Sequence, residues 1–405
     1  MGEQVFKNIK VLDFAWIVAG PWAVKYLADH GAEIIHVETR THADSLRTSP
    51  PFKDNIPEPD RAAYFANYHC NAYGMSLNLN HPRAIRVAEK LIAWADVVID
   101  NFTPGSMEHW GLGYDRMKEM NSDIIWISLS QLGQTGPFAS MPGTGIQLTG
   151  LSGFSHLAGW PDRAPSVLYA GYTDCGGARF AACALLAGLS YRHKTGKGQR
   201  IDLSEHESGG AQFIAQPILD YVLNGRIATR NGNRSGNAAP QGVYPCKGEE
   251  RWCAITVSTE EEWEGLCRAM GNPAWAREAE FSAFAARKRN EDELDERIAQ
   301  WTRTMSREEL MNKLQGLGVP AGIVNDCRDV HLDPQLRHRG FFWEIEHPVL
   351  GRHKFESEAF KLSETPCQLH MPAPLIGQDN EYVCTKVLDI ADEEFVELLN
   401  EGVLE

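Results

Sequence analysis

Nowhere in the 405 residues does an apolar run approach the ~20 that a membrane helix needs. The longest, Phe180 to Leu189, reads instead as part of a buried helix. Cysteine occurs nine times, an odd count without a Cys-x-x-Cys pair. That fits a reducing, cytoplasmic setting better than a disulfide framework. Met1-Gly2-Glu3-Gln4-Val5-Phe6 has no basic-then-apolar leader pattern, and Phe6 stands where a myristoylation signal has Ser or Thr. The fourteen histidines are scattered without ligand spacing, so no metal is expected. No Gly-x-Gly-x-x-Gly follows the first strand, which argues against a nicotinamide cofactor, and no Gly-x-Ser-x-Gly elbow is present. Nor is there an excess of positive charge. A net charge of −15 repels backbone phosphates and argues against a nucleic-acid binder. It does not exclude a small phosphorylated ligand, which a local basic pocket or a helix N-terminus can hold against the global field.

What is present is an ordinary globular composition, 43% hydrophobic and 23% charged, in a chain long enough for two domains. Lys10-Val11-Leu12-Asp13-Phe14 reads as a strand, Trp22 to Leu27 as a helix that Gly31 ends, and Glu33 to Glu38 as the next strand. The unit recurs: a helix from Pro82 to Trp94, a strand from Ala95 to Asp100, a helix from Leu112 to Met120, a strand from Ile124 to Leu129. Such alternation predicts α/β architecture, a Rossmann-like layer around a parallel sheet. Residues 140–172, rich in Gly, Ser and Pro, read as a long functional loop. An apolar helix follows from Gly176 to Tyr191, stopped by Lys194-Thr195-Gly196-Lys197-Gly198-Gln199, and then a strand, Arg200 to Leu203. Residues 225–245 read as a linker and 246–330 as a smaller α/β domain, with a strand from Trp252 to Val257 and charged helices. The expected division is 1–224 and 331–405 in the large domain, 225–330 in linker and small domain.

Among side chains that could do chemistry, Asp174 stands out. It lies in Tyr172-Thr173-Asp174-Cys175-Gly176-Gly177, directly before the apolar helix, at an expected N-cap. The ordinary reading is a cap and nothing more. The chemical reading is that the helix dipole and free N–H groups keep the carboxylate ionised, and an ionised carboxylate is a covalent nucleophile. Gly176 and Gly177 would then let a substrate approach and offer N–H groups to an oxyanion. The preceding loop would keep water from a labile acyl-aspartate. Cys175 has no partner histidine nearby and reads as a small packed residue. Trp16, Trp22 and Trp160 are candidates to line an apolar acyl pocket, although most tryptophans are core residues.

Over nearly its whole length the chain resembles the third class of CoA-transferases, the formyl-CoA and carnitine CoA-transferase type. The residues that carry the resemblance are, in order, Val11-Leu12-Asp13-Phe14, Ala19-Gly20-Pro21, Leu27-Ala28-Asp29-His30-Gly31-Ala32-Glu33, Ala95-Asp96-Val97-Val98, Asn101-Phe102, Pro104-Gly105, Gly133-Gln134-Thr135-Gly136-Pro137, Lys194 to Gln199, Asp333-Pro334-Gln335-Leu336 and His347-Pro348. The resemblance implies a Rossmann-like large domain built from both chain ends, a small domain between them, and an interlocked homodimer or related hetero-oligomer. It places the catalytic carboxylate at Asp174 and the CoA contacts at Ala19, Arg40, Asn101 and Phe102. It implies an acyl-CoA and a free carboxylic acid as partners, CoA as co-substrate, and no cofactor or metal. Trp16 to Pro21, Lys25-Tyr26-Leu27 and Met75 to Leu79 look similar to subunits of succinyl-CoA:benzylsuccinate CoA-transferase, which act in anaerobic breakdown of toluene-like compounds.

The chain also departs from that pattern. His69-Cys70-Asn71-Ala72-Tyr73-Gly74 replaces a segment resembling Asn-Arg-x-Lys-x-Ser, His109 replaces a common Arg, and Trp16 stands where some members have His. Each lost phosphate contact would cost about 1.5–3 kcal/mol. These losses raise the alternative of a non-catalytic partner subunit. An α-methylacyl-CoA racemase shares the fold but needs a His near Thr144-Gly145, where there is none. An acyl-CoA hydrolase stays open, because water exclusion is a matter of loop geometry.

Overall fold

The computed structural model describes residues 4–169 and 171–405. The first three residues, on which the reading of the N-terminus partly rests, lie outside the described residues. Six strands, β1 (Lys10–Asp13), β2 (Glu33–Glu38), β3 (Ala72–Ser76), β4 (Val97–Asp100), β5 (Ile125–Ser130) and β6 (Gln199–Ser204), form one sheet. The order is β3-β2-β1-β4-β5-β6, and every pair is parallel. This is the doubly wound Rossmann order, whose strand sequence reverses between β1 and β4. The strands are near-continuous apolar runs because both faces are covered. Leu12, Ile35, Val98 and Trp126 sit in one buried cluster, Val11, Ile34, Val97 and Ile125 in the opposite one, as period-two side chains require.

The helix from Pro82 to Trp94 forms as its pattern predicts: His81 caps it through Arg83 N–H, Pro82 opens it, and Val87, Leu91 and Ile92 are buried. The chain end returns to the same core. Val383, Leu398 and Val403 share a cluster with Leu12, Asn78 N–H donates to Val403 O, and Asn380 Oδ1 accepts from Ser76 N–H.

Contacts divide the chain into two compact units, 4–156 with 167–228 and 337–405, and 157–166 with 229–336. The second unit has its own core around Trp263, Leu266, Leu294 and Leu310. Its sheet is β7 (Gln241–Pro245), β8 (Trp252–Thr256) and β9 (Ala321–Ile323), all antiparallel. A further hairpin, β10 (Phe342–His347) and β11 (Gly351–Glu356), belongs to the first unit.

Several expectations are corrected. Residues 140–172 are not structureless: helices Gly145–Leu151 and Phe154–Leu157 form there, the first closed by a Thr144–Gln147 capping box. The linker range 225–245 contains β7. The long helix runs from Tyr172 to Thr195, four residues earlier than predicted, and its apolar stretch is not wholly buried. Ala181, Leu185 and Gly188 face inward, while Phe180 and Leu186 are exposed. It ends at Gly196 in the left-handed conformation, where the sequence placed the stop. No described helix is long and apolar enough to cross a membrane.

Candidate active site

In an open parallel sheet, ligands settle outside the carboxyl ends of the strands, near the point where the order reverses. A cavity of about 820 Å³ lies there. Ile17 to Ala19 line it beyond β1, Asn101 to Pro104 beyond β4, Leu129 to Gln131 at the end of β5, and Glu205 just past β6. Residues 139, 141–146, 169 and 171 form the opposite wall, and Asp174 completes it. The lining carries two carboxylic acids and, among the described residues, no Lys, Arg or His.

Asp174 is the third residue of the long helix. Gly171 is the N-cap and supplies no side-chain hydrogen bond. The expected N-cap is therefore corrected: the helix starts earlier, and the carboxyl sits inside the first turn, where the dipole still favours an anion. The expectation of a simply ionised carboxylate is corrected as well. Burial raises the Asp174 pKa, opposed by hydrogen bonding with Glu205 and from its own N–H. Burial also pushes Glu205 well above the usual carboxylate range, and the neighbouring Asp174 charge and hydrogen bond push it further. Two adjacent carboxyls that cannot both ionise share one proton, and the titration belongs to the pair. Glu205 is only 6% exposed and its carboxyl is held well above the usual range by burial and by Asp174, so its side of the pair favours that proton. Sequence reasoning missed Glu205. It lies 31 residues from Asp174 with no motif around it, and only the placement of β6 beside the long helix brings the two together.

Close backbone approach builds the pair. A Cβ at Gly145 would stand 3.1 Å from both Asp174 oxygens, and one at Gly171 would stand 1.8 Å from Oδ2. Gly177 packs on Glu205, whose Cγ would lie 3.0 Å from an added Cβ. Gly176 packs on the Gly209 backbone, and a Cβ at Gly209 would fall 2.0 Å from Thr173 O. Gly176 and Gly177 are thus in the helix interior, where their N–H groups serve helical bonds. Their expected role as oxyanion donors gives way to one in close packing. Gly171→Ala is expected to cut turnover ~100-fold by displacing Asp174 while leaving the melting temperature near wild type. Gly209→Ala meets fixed backbone and is expected to destabilise by about 1–3 kcal/mol. Thermal denaturation beside an activity assay separates the two outcomes.

Of the residues expected to contact CoA, Ala19, Asn101 and Phe102 line the cavity. Asn101 also braces the first turn of chain beyond β1: its Oδ1 accepts from Trp16 N–H at 2.9 Å and its Nδ2 donates to Trp16 O at 2.6 Å. Arg40 is exposed and is not among the lining residues; its backbone N–H donates to Glu405. None of the three tryptophans expected in an acyl pocket lines the cavity. Trp16 packs edge-on against Phe102, Trp22 lies under Arg179, and Trp160 packs on Gly232 in the second unit. Cys175 is a poor nucleophile, because burial pushes its thiol pKa up.

A buried network holds the cavity wall. Asp44 Oδ1 accepts from Ile17 N–H and Leu46 N–H, and burial raises its pKa to about 6. Ile17 has φ of 67°, a conformation that costs a β-branched residue about 1–3 kcal/mol. Behind it, Asp13, His36 and His69 lie close enough to hold a cation, the one such group among the described residues. The scattered positions gave no sign of this in the sequence. His36 Nδ1 already bonds Asp13 Oδ2 at 3.0 Å. Burial opposes a charge on His36, but that bond and the charges of Asp13, Glu38 and Asp44 outweigh it and raise the pKa.

Comparison with known proteins agrees with this architecture. A sequence model of CoA-transferase family III matches residues 6–380. The chain is 30% identical to succinyl-CoA–D-citramalate CoA-transferase of Chloroflexus aurantiacus, over 98% of this chain and 97% of the relative. It is 29% identical to the beta subunit of succinyl-CoA–L-malate CoA-transferase from the same organism, over 98% and 97%. A CaiB/BaiF family protein from Brucella suis superposes with a TM-score of 0.86 at 27% identity, over 95% of this chain and all of that one.

Proposed function

This chain belongs to CoA-transferase family III, and from that premise we propose that it moves CoA from a succinyl-CoA-type donor to a free carboxylic acid through a covalent bond to Asp174. The observation that carries the reading is the position of Asp174. A carboxylate in the first turn of a long helix faces a cavity at the ends of β1, β4, β5 and β6. One Asp174 oxygen attacks the donor thioester, and the C–S bond breaks to give a mixed anhydride and CoA thiolate. Sulfur then attacks the aspartyl carbonyl and releases the donor acid, leaving an aspartyl-CoA thioester. The acceptor carboxylate takes the place of the donor in the reverse sequence.

The named relatives support succinyl-CoA as donor. Support for an apolar or aryl-bearing acceptor of the benzylsuccinate type, and so for a place in anaerobic breakdown of toluene-like compounds, now rests on Tyr64, Phe102, Leu129, Met141 and Ile146 rather than on tryptophan. No histidine lines the cavity among the described residues, which speaks against a racemase. Ala19, Asn101 and Phe102 are the CoA contacts favoured by this geometry, and Arg40 would have to reach in from outside it.

Assembly with a second, homologous subunit is part of the reading. In helix Ala215–Asn224 no residue is buried, and Leu219, Tyr221, Val222 and Leu223 are more than half exposed. An apolar element of this kind is normally covered. That no basic residue lines the cavity among the described residues supports a second reading, in which this chain is the non-catalytic partner of an active subunit.

One experiment separates the two. The protein is incubated with succinyl-CoA, alone and with a co-encoded homologue, quenched with hydroxylamine, and searched by peptide mass spectrometry for a hydroxamate. A hydroxamate on Asp174 is the expected result. Labelling confined to the partner's equivalent aspartate would leave this chain as the supporting subunit.

A further inference from the structure

Glu205 is a buried acid that faces the same cavity as Asp174 and pairs with it, and among the described residues no base bears on its carboxyl. Leucine would fill such a place at lower cost, since burying a carboxyl without a cation is unfavourable unless it keeps its proton. We propose that Glu205 is a second catalytic residue, which gives its proton to the CoA thiolate as Asp174 is acylated and takes it back as the thiol attacks the acylated Asp174. The proposal rests on the reading of Asp174 as nucleophile.

Geometry places Glu205 for this. It follows β6 immediately, so its backbone is fixed by pairing with β5 up to Ser130↔Ser204. Gly177 closes on its Cγ from the long helix and leaves the carboxyl no room on that side. Asp174 is the charged group that bears on it, while Tyr64 and Cys175 feel the same Asp174 charge from other directions, and Arg179 is directed to Cys175. His206, next in the chain, is engaged with Ser152 Oγ.

The proton balance then follows. At rest the pair carries one proton and one negative charge. When an Asp174 oxygen bonds to the acyl carbon and the C–S bond breaks, Asp174 becomes neutral and no longer holds the Glu205 proton, and the charge appears on sulfur. Transfer of the proton from Glu205 to sulfur gives CoA thiol and a Glu205 carboxylate. In the return step that carboxylate takes the thiol proton as sulfur bonds to the aspartyl carbonyl. The anhydride C–O bond breaks, the donor acid leaves as a carboxylate, and Glu205 is protonated again. A thiol titrates near ~8.5, so a carboxyl held far above its ordinary value is a matched acid and base for it. The relay also spares a cavity that no described cation lines from holding a bare thiolate.

The test is isotope exchange between succinyl-CoA and labelled succinate, which needs no knowledge of the acceptor, measured against pH together with hydroxylamine trapping. Wild type is expected to show a bell, rising as the pair loses its first proton and falling as it loses the second. Glu205→Gln keeps a hydrogen-bond donor but no transferable proton. It should lose ~10²–10³-fold in exchange, lose the alkaline limb, and still be labelled at Asp174. Glu205→Asp should restore part of the rate and the alkaline limb. A wild-type profile with no alkaline limb, or Glu205→Gln exchanging at the wild-type rate with the limb intact, overturns the proposal. So does a Glu205→Gln that fails to fold while Glu205→Asp folds without the limb. Absence of any label on wild-type Asp174 overturns the nucleophile itself, and is read in wild type independently of every Glu205 variant.

Discussion

Asp174→Asn is expected to abolish CoA transfer, with a loss of ~10³-fold or more, and to leave the melting temperature unchanged or higher. The first half follows from chemistry: an amide in place of the carboxylate cannot form the anhydride, and removing a covalent nucleophile costs orders of magnitude even when binding survives. The second half follows from electrostatics. In wild type two acids are buried side by side, and Glu205 is forced to hold a proton far above its ordinary 4.5. An acid whose folded pKa is raised contributes stability that is full below the unfolded pKa and lost as pH rises through the folded one. The wild type should therefore lose stability from about pH 4.5 upward through that higher value. Removing the Asp174 charge removes one cause of the shift, so the variant's stability should depend less on pH over the same window. Calorimetry at several pH values, paired with a transfer assay, reads both. Residual turnover within tenfold of wild type would end the nucleophile assignment, and a large loss of stability would mean that Asp174 serves mainly as part of the helix start. Sites of this kind commonly trade stability for function.

The largest stability effect is expected at Arg47, which is not among the residues that line the cavity. Its guanidinium is 1% exposed and has every side satisfied. It donates to both Glu38 oxygens at 2.7–2.9 Å, to Asp60 Oδ1 at 2.8 Å and to Pro374 O at 3.0 Å, and it lies 3.5 Å over the Phe65 ring. One side chain thus ties the end of β2, the loop after it and the returning chain end together. Arg47→Met removes the cation and leaves Glu38, itself 1% exposed, without a counter-charge. Breaking a buried pair from one side costs about 3–5 kcal/mol, far more than the pair contributes over a hydrophobic replacement of both. Arg47→Met should lower the melting temperature by many degrees, and the double variant Arg47→Met with Glu38→Leu should recover much of the loss. Failure of the double variant to recover would show that the hydrogen bonds to Asp60 and Pro374, rather than the charge, hold this corner. Leu46 lines the cavity beside Arg47, so the single variant should also raise KM.

The sequence reading succeeded where the physics is local. The helix Pro82–Trp94 is placed by its local pattern, and the structure has it with those bounds. The strand Glu33–Glu38 is likewise where a bounded apolar run placed it. The reading slipped where the deciding partner lies elsewhere in the chain. The local pattern opens the long helix at Gly176, yet it begins at Tyr172 and carries Gly176 and Gly177 inside it. A Cβ at 176 would stand 2.7 Å from Gly209 Cα and one at 177 would stand 3.0 Å from Glu205 Cγ, approaches that no local pattern reports. The tryptophans showed the same limit in reverse, since their size marked them for a pocket and packing took them elsewhere.

By itself the sequence determined the parallel α/β layer, the position of most of its strands, the family and the candidate carboxylate, because hydrophobic period, caps and ordered motifs are properties of neighbouring residues. Only the tertiary structure decided that Asp174 lies beside Glu205, that Arg40 stands outside the cavity, and that no described cation lines it. Proton sharing depends on distance and burial, and both are fixed by how β6 packs against the long helix rather than by any spacing along the chain.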